Sequence, residues 1–251
     1  MLNIVVNGYL GQMGQVISNL IKTQDNMHLV AGIDKNAKSY KCGIDLYENI
    51  SDFKGECNVI IDFSNPSALD ELLEYAIANN TALVIGTTAY EEKEFSKLEE
   101  AAKKIPIFYS ANMSLGINLL LSLVAKAAAV LGEEFDIEII EKHHNKKIDA
   151  PSGTAYMIAN KINEEFDNNK VYTFGRHTKT NKRSTNEIGI HAIRGGTIVG
   201  EHSVIFAGLD ETIEIEHSAT SKNVFAKGAL EAAKFIVTKD NGLYNMSDLI
   251  K

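Results

Sequence analysis

The fold is decided near the amino terminus by the stretch Val6-Asn7-Gly8-Tyr9-Leu10-Gly11-Gln12-Met13-Gly14. Its glycines have GxxGxxG spacing, and the stretch follows an apolar run and opens a helical pattern. Glycine lets the backbone turn tightly and approach a phosphate, whose charge is stabilised at a helix N-terminus. Glycine-rich turns also arise for packing reasons, but this strand-to-helix context predicts a Rossmann dinucleotide-binding domain.

Two charged residues follow the second predicted strand. Asp34 ends that strand about 20 residues after the last glycine, where a carboxylate can accept a hydrogen bond from an adenosine ribose. Lys35 comes next and can pair with a 2′-phosphate. These residues favour NADH and NADPH respectively, so the sequence predicts a nicotinamide dinucleotide and leaves both forms open.

The remainder of residues 1–113 alternates short apolar runs with helical patterns, as parallel α/β sheets do. The predicted strands cover residues 2–6, 29–33, 59–63, 82–85 and 107–109. Polar residues cluster directly after these strands, for example in Gly86-Thr87-Thr88. In an open parallel sheet that edge binds ligands.

The pattern changes after Asn112. A long helix is predicted over residues 115–131, and several of the strands that follow alternate apolar and charged residues. These predicted strands cover residues 135–141, 189–193, 198–206 and 212–217. They indicate an α+β domain with an open mixed, mainly antiparallel sheet, whose exposed face contacts solvent or another subunit.

The predicted domain boundaries follow from these two patterns. Residues 1–113 form the dinucleotide-binding domain, and residues 114–221 form a substrate-binding and oligomerisation domain. Residues 222–251 contribute a C-terminal helix that returns to the first domain. Residues 167–187, rich in Asn, Lys and Thr, are expected to form a mobile excursion.

The composition argues against several classes of protein. A formal charge of −8 disfavours nucleic acid or an anionic membrane as a partner. The amino terminus lacks the zones of a signal peptide, and the apolar run at residues 115–130 contains Asn118 and Lys126, so a buried helix is expected there. Cys42 and Cys57 lack CxxC spacing and are expected to be structural. A cytoplasmic protein is therefore expected.

Proton donors are concentrated in the run His143-His144-Asn145-Lys146-Lys147-Ile148-Asp149-Ala150-Pro151-Ser152-Gly153-Thr154. Histidine exchanges protons near neutral pH, and lysine does so when partly desolvated. Pro151 stiffens the approach to a helix that Ser152 can cap, so the backbone N–H groups near Gly153 and Thr154 offer a site for a carboxylate. The run thus combines proton donors with an anion site.

These residues also have structural interpretations. His144 could be a hydrogen-bonded buried histidine, and Lys146 a solvated charge. Ser152 could be only a helix cap, and Asp149 only a brace for the turn. Zinc binding is not indicated, because adjacent histidines point apart on a strand and no further ligands are suitably spaced. The density of donors favours the functional interpretation.

The sequence resembles the 4-hydroxy-tetrahydrodipicolinate reductase (dihydrodipicolinate reductase) family over nearly its whole length. Besides the glycine loop and the run from His143 to Ala155, the resemblance rests on Asp62-Phe63-Ser64, Gly86-Thr87-Thr88, Ala111-Asn112-Met113-Ser114-Leu115-Gly116-Ile117-Asn118, Arg194-Gly195-Gly196, Gly200-Glu201-His202 and Phe225-Ala226-Lys227-Gly228-Ala229. It implies an NAD(P)H-dependent reductase of diaminopimelate and lysine biosynthesis. It also implies a homotetramer assembled through the open sheet faces of the second domain.

The resemblance further implies roles for individual residues. His143 and Lys147 correspond to the proton donors, and His144, Gly153 and Thr154 to the residues that hold the carboxylates of a small cyclic substrate. The implied cofactor-binding residues are Gly8, Tyr9, Leu10, Gly11, Gln12 and Met13 at the pyrophosphate, Asp34 and Lys35 at the ribose, and Gly86, Thr87, Thr88, Ser110, Ala111, Asn112 and Met113 at the nicotinamide. The expected reaction is hydride transfer to C4 of a conjugated cyclic imine, with domain closure on a ring that is either hydroxylated or dehydrated.

The sequence departs from the family pattern at a few positions. Ala89 stands where glycine commonly follows the two threonines, and Met113 where phenylalanine is frequent. Lys222 replaces a typical hinge arginine. Asn145 and Lys146 replace a more usual Arg-His pair, and we assign them no chemistry.

Two other functions remain open at this point. An aspartate-semialdehyde or homoserine dehydrogenase shares the two-domain plan, but semialdehyde chemistry needs a nucleophilic cysteine in the substrate domain, and both cysteines precede it. A regulatory dinucleotide sensor would need no proton donors. The combination of His143, Lys147 and the Gly153-Thr154 turn therefore favours an enzyme.

Overall fold

The structure is a computed structural model that describes residues 1–40 and 43–250. Cys42, predicted to be structural, lies outside the described residues. The chain divides into two compact units: residues 1–115 together with the chain from Lys222 onward, and residues 116–221. Each unit contains one sheet.

The described strands and helices follow one another along the chain as follows. The strands are β1 (Leu2–Asn7), β2 (Met27–Ile33), β3 (Leu46–Tyr47), β4 (Val59–Asp62), β5 (Ala82–Ile85), β6 (Pro106–Tyr109), β7 (Asp136–His143), β8 (Val171–Phe174), β9 (Glu187–Arg194), β10 (Gly200–Ala207), β11 (Thr212–Ala219) and β12 (Gly242–Tyr244). The helices are α1 (Gln12–Ile21), α2 (Leu69–Ala78), α3 (Glu92–Ala102), α4 (Leu115–Leu131), α5 (Gly153–Glu164), α6 (Asn223–Ile236) and α7 (Met246–Leu249).

The first unit is a doubly wound parallel sheet. Among the described strands the order is β12-β6-β5-β4-β1-β2-β3, and every pairing is parallel. Strands β4 and β5 are buried throughout, which their continuous apolar runs predict. Helices α1 and α6 cover one face of the sheet, and α2 and α3 cover the other. The predicted Rossmann fold is confirmed.

The carboxyl ends of these parallel strands lie at one edge of the sheet. Strand β1 pairs with β2 on one side and β4 on the other, so the strand order reverses at the end of β1. Ligands of open α/β sheets bind at such a switch point. The glycine loop directly follows β1 and therefore lies at this edge.

The second unit contains a mixed sheet with helices α4 and α5 packed on one face. Its strand order is β11-β10-β7-β9-β8. The expected mixed sheet is confirmed. Among the described strands, the pairings of β10 with β7 and β11 are antiparallel, whereas those of β9 with β7 and β8 are parallel.

Part of the predicted mobile excursion is instead ordered as β8, which pairs with β9. The preceding residue, Lys170, is buried, and its Nζ lies 2.6 Å from a carboxylate oxygen of Glu133 and 4.4 Å from the ring centre of Phe166. Asn163 also bonds the backbone of Lys170 in both directions. The polar composition suggested mobility because the local sequence does not reveal the ion pair of Lys170 with Glu133, which lies 37 residues away in the chain.

Helix α4 is not the buried helix that the sequence predicts. Only Ile117, Leu120, Val124 and Ala128 of it are buried. Leu123 is 44% exposed and Val130 is 75% exposed. Together with the following turn, α4 is long and apolar enough to cross a membrane, a test that the core helix of a soluble protein also passes.

The backbone of Ala89, where the family commonly has glycine, has φ of 65°, in the left-handed region that glycine tolerates best. We therefore expect Ala89→Gly to raise the free energy of unfolding by about 0.5 to 1 kcal/mol, because the strain of a left-handed alanine exceeds the entropy cost of glycine. Chemical denaturation measures this change. Ala129→Gly in the exposed part of α4 is the control and should lower stability by about 1 kcal/mol. Equal destabilisation by both substitutions would contradict the prediction.

Candidate active site

Two glycines of the loop lie too close to neighbouring backbone atoms to carry a side chain. Gly8 has φ of +80°, and a Cβ there would lie 2.5 Å from the carbonyl oxygen of Phe63. A Cβ on Gly14 would lie 2.2 Å from the Gly8 carbonyl oxygen. Gly8 is therefore required by the close approach of Phe63, which follows β4, and Gly14 by the packing within the loop.

The N-terminus of α1 suits a pyrophosphate. Gly11 is its exposed N-cap, no described side chain caps the helix, and its first turn contains no acidic residue. Backbone N–H groups there point toward the edge of the sheet, where a negative charge is stabilised. The Lys222 ammonium also donates to Oε1 of Gln12, which brings a cation to this helix N-terminus.

Asp34 is held at the same edge by the loop. Its Oδ2 accepts from the Leu10 N–H and its Oδ1 from the Asn36 N–H, each at 3.0 Å. The Leu10 N–H is therefore already engaged, and the Tyr9 side chain is buried in the core. A glycine turn, an uncapped helix N-terminus and a fixed carboxylate together fit a dinucleotide.

A buried carboxylate, Asp62, joins the ends of three neighbouring strands. It accepts from Asn7 Nδ2 at 2.8 Å, from Ser64 Oγ at 2.5 Å and from Thr87 Oγ1 at 2.6 Å. Burial raises the pKa of Asp62 by more than these hydrogen bonds lower it. Thr87 Oγ1 also accepts from the Ser64 N–H at 2.9 Å, so the Thr87 hydroxyl serves this network. Gly86 packs on Phe63, whose ring would lie 2.4 Å from a Cβ.

The residues predicted at the nicotinamide differ in their exposure. Thr88 and Ala111 are exposed at the sheet edge. Ser110, Asn112 and Met113 are buried, and Met113 belongs to the apolar core of the first unit. Thr88 and Ala111 are therefore accessible to a ligand. Ser110, Asn112 and Met113 instead pack beneath the surface.

In the second unit, strand β7 carries the first catalytic candidate. Its alternating residues Ile137, Ile139, Glu141 and His143 are all buried, so they share one face of the sheet. His143 is the last residue of the strand, and its Nδ1 lies 2.6 Å from Oε2 of Glu141. A Cβ on Gly200 would lie 3.0 Å from His143 Nε2, so glycine at that position leaves space beside the imidazole.

Glu141 is saturated by hydrogen bonds. Arg194 binds both of its carboxylate oxygens at 2.7 Å, and the Ser152 N–H donates to Oε1 at 2.9 Å. Burial raises the pKa of Glu141, but the hydrogen bonds from Arg194, His143 and Ser152 outweigh it and hold the pKa below the usual value. The carboxylate is therefore ionised at neutral pH.

Helix α5 begins where the catalytic run ends. Ser152 is its N-cap, and the Ala155 N–H donates to Ser152 Oγ at 3.2 Å, as the sequence predicts. Gly153 and Thr154 are the first two helical residues, and no described atom would lie within 4 Å of a Cβ on Gly153. The geometry of this helix N-terminus therefore suits an anion.

The turn between β7 and α5 presents the remaining residues of the run. Lys147 Nζ lies 2.8 Å from Oδ1 of Asp149, so Asp149 holds the ammonium group as well as shaping the turn. His144 is half-buried, whereas Asn145 and Lys146 are exposed. Lys147 thus differs from its neighbour Lys146: Lys147 is partly buried and paired with Asp149, whereas Lys146 is exposed.

The sequence analysis assigned no role to four residues that the structure places around His143: Glu141, Arg194, Gly200 and His202. His202 Nε2 lies 3.1 Å from Ser152 Oγ, and the His202 and His143 ring centres are 5.3 Å apart. The apolar-charged alternation of β7 could have placed Glu141 beside His143. The other three become neighbours only through strand pairing.

Cys57 bears on the semialdehyde alternative. Burial raises the pKa of the Cys57 thiol to about 11, which disfavours the nucleophilic thiolate. Cys57 also belongs to the first unit, whereas the run from His143 to Thr154 belongs to the second.

Two family profiles match almost the whole chain. The profile described as "Dihydrodipicolinate reductase, N-terminus" matches residues 2–113, and that described as "Dihydrodipicolinate reductase, C-terminus" matches residues 116–250.

Curated and solved proteins are similar along the same length. The chain is 52% identical over 251 residues to the 4-hydroxy-tetrahydrodipicolinate reductase of Caldanaerobacter subterraneus subsp. tengcongensis and 47% identical over 251 residues to that of Clostridium novyi. Each comparison covers 100% of this chain and 99% of the relative. The fold is similar, with a TM-score of 0.79 at 24% identity, to a dipicolinate-bound dihydrodipicolinate reductase from Paenisporosarcina sp. TG-14, covering 98% of this chain and 97% of that one.

The buried His202 predicts a pH dependence of stability. Burial, followed by the charge of His143, lowers the pKa of His202 from 6.5 to about 4. As the pH falls below 6.5, His202 becomes protonated in the unfolded chain but stays neutral in the folded protein. The free energy of unfolding therefore decreases. Between pH 7 and pH 5 the wild type should lose about 2 kcal/mol more than His202→Gln in chemical denaturation. The exposed His28→Gln should keep the wild-type dependence, and equal slopes for wild type and His202→Gln would refute the prediction.

Proposed function

The chain belongs to the dihydrodipicolinate reductase family and is an oxidoreductase of lysine and diaminopimelate biosynthesis, and from this premise we propose how its residues reduce 4-hydroxy-tetrahydrodipicolinate to tetrahydrodipicolinate. The first unit is the dinucleotide-binding domain, and helix α6 belongs to it. The second unit supplies the proton donors and holds the substrate.

The proposal is carried by one observation: His143, at the end of β7, and the N-terminus of α5 are bonded to the same carboxylate, Glu141. This shared contact supports a site in which proton transfer and anion binding occur side by side. Gly153 and Thr154 would bind one substrate carboxylate through the helix N-terminus, and His144 would hold the carboxylates from the adjoining turn. The two cationic side chains here, Lys147 and Arg194, are paired with Asp149 and Glu141, so a dicarboxylate substrate would bind Lys147 by displacing Asp149.

Reduction of a conjugated imine moves electron density toward the ring nitrogen, which requires a nearby cation or proton. When bound, a nicotinamide cofactor supplies the hydride that adds to ring C4. His143 can deliver a proton from Nε2, because Nδ1 is engaged with Glu141. Lys147 can stabilise the developing charge when a substrate carboxylate competes with Asp149 for its ammonium group.

The cofactor residues act in the first unit. Gly11, Gln12 and Met13 hold the pyrophosphate at the start of α1, with Gly8 shaping the turn. Asp34 accepts from the adenosine ribose of NADH, and the exposed Lys35 is available to the 2′-phosphate of NADPH. Both cofactors are therefore used.

The open face of the second sheet forms the subunit interface of a homotetramer in the cytoplasm. Helices α4 and α5 cover one face of that sheet, and Ile193, on the other, is 46% exposed. The same face carries the charged cluster of Glu138, His191 and Arg176, so the proposed interface would combine apolar and charged contacts.

Substitution of the proposed proton donors tests the mechanism. His143→Gln and Lys147→Ala should each lower kcat about 100-fold, because a general acid is lost from the transition state. Steady-state oxidation of the nicotinamide with freshly made substrate measures this. Lys146→Ala, which removes the adjacent exposed lysine, is the matched control and should leave kcat unchanged. Near-wild-type kcat in both His143→Gln and Lys147→Ala would overturn the assignment.

The assignment of Lys35 predicts a change in cofactor preference. Lys35→Ala should lower kcat/KM for NADPH about tenfold and leave kcat/KM for NADH nearly unchanged, since only NADPH carries the 2′-phosphate. Lys38→Ala is the control, because Lys38 is in the same turn but paired with Glu48. Equal losses with both cofactors would show that Lys35 does not contact the 2′-phosphate.

A further inference from the structure

Glu141 lies two residues before His143 on the same buried face of β7, and its side chain has 0% exposure. Its Oε2 is 2.6 Å from His143 Nδ1. An ionised carboxylate can only accept, so His143 Nδ1 must carry a hydrogen and Nε2 is left as the nitrogen that exchanges protons.

The other side of the same carboxylate is tied to the substrate-binding turn. Glu141 Oε1 accepts from the Ser152 N–H at 2.9 Å. Arg194 binds both oxygens of Glu141 and also donates from Nη2 to the carbonyl oxygen of Asp149 at 2.7 Å. The orientation of His143 and the position of the α5 N-cap are therefore set by one group.

We propose that Glu141 is a positioning residue of the reductase: it fixes the Nδ1–H tautomer of His143 and holds that imidazole in place relative to the N-terminus of α5. This inference rests on the proposed role of His143. Arg194 supports it by keeping Glu141 charged and oriented, since a bidentate pair fixes the carboxylate plane.

The surroundings of His143 contain further titratable and charged groups. They come from each element packed on it: Glu141 on its own strand, Arg194 on β9, His202 on β10 with His217 beyond it on β11, and Lys147 and Asp149 in the turn. Of these, Glu141 is the group within hydrogen-bond distance of the His143 ring.

Glu141→Gln tests the inference with little change of shape. The amide removes the negative charge and turns a donor toward His143 Nδ1, which favours the wrong tautomer. We expect kcat to fall about 100-fold, with a much smaller change in KM. We also expect the alkaline limb of the kcat profile to move to lower pH, because the imidazolium loses its nearest counter-charge. Glu141→Asp keeps the charge and should recover part of kcat and the original limb.

Glu138→Gln is the matched control. Glu138 is on the same strand but on the other face of the sheet, and it is bonded to His191 at 2.7 Å, Arg176 at 2.8 Å and Arg183 at 2.9 Å. It therefore reproduces a carboxylate–histidine–arginine cluster outside the proposed site. Its substitution should leave kcat and the pH profile unchanged.

A measurement on the unsubstituted protein covers the case in which Glu141→Gln does not fold. Nitrogen-15 NMR of the histidine side chains, with His143 assigned by its absence in His143→Gln, reports which ring nitrogen is protonated. Neutral His143 with hydrogen on Nδ1 supports the inference, and neutral His143 with hydrogen on Nε2 overturns it.

The kinetic outcomes separate this inference from the proposed function. A Glu141→Gln enzyme with wild-type kcat and pH profile, beside an impaired His143→Gln enzyme, overturns the role of Glu141 and leaves the proposed function intact. Wild-type kcat in His143→Gln overturns the role of His143 and the inference with it. A loss in Glu141→Gln equal to that in Glu138→Gln also overturns the inference, since it indicates a general effect on the sheet.

Discussion

A carboxylate that water does not reach must be satisfied by protein donors, and Glu141 meets this requirement by bonding His143, Ser152 and both terminal nitrogens of Arg194. These partners come from β7, β9 and the start of α5. Removing any of them would leave a buried charge incompletely paired, so the strand ends, the turn and the helix are held in one arrangement. This arrangement sets the positions of the proposed proton donor, His143, and of the proposed anion site at the start of α5.

The first unit follows the same principle at its own ligand edge. Asp62 is buried and joins the ends of β1, β4 and β5 through Asn7, Ser64 and Thr87. Because the network occupies these side chains, the exposed Thr88 and the backbone of the glycine loop are the groups left for the proposed ligand contact. Each unit thus uses one buried carboxylate to fix its strand ends and leaves neighbouring groups available for binding.

The charged side chains around His143 bear on how an acidic substrate would bind. The protein has a formal charge of −8, yet His143, His144, Lys147 and Arg194 belong to one cluster beside a helix N-terminus. Glu141 neutralises Arg194, and Asp149 pairs with Lys147. Asp149 is 59% exposed, so under the proposed mechanism Lys147 can exchange it for a substrate carboxylate. Glu141 has no exposure, and its pair with Arg194 keeps a structural role.

The sequence by itself determined the Rossmann unit, the mixed second sheet and the N-cap at Ser152, because these depend on local spacing: glycines in a loop, alternation along a strand, a capping residue before a helix. Only the tertiary structure decided that Glu141 and Arg194 fix His143, that the Thr87 hydroxyl serves Asp62, and that Met113 is buried in a core. It also decided that half of the pairings among the described strands of the second sheet are parallel. The physical reason is that Glu141 and Arg194, like Asp62 and Thr87, are far apart in the chain, and only strand pairing brings them into hydrogen-bond distance.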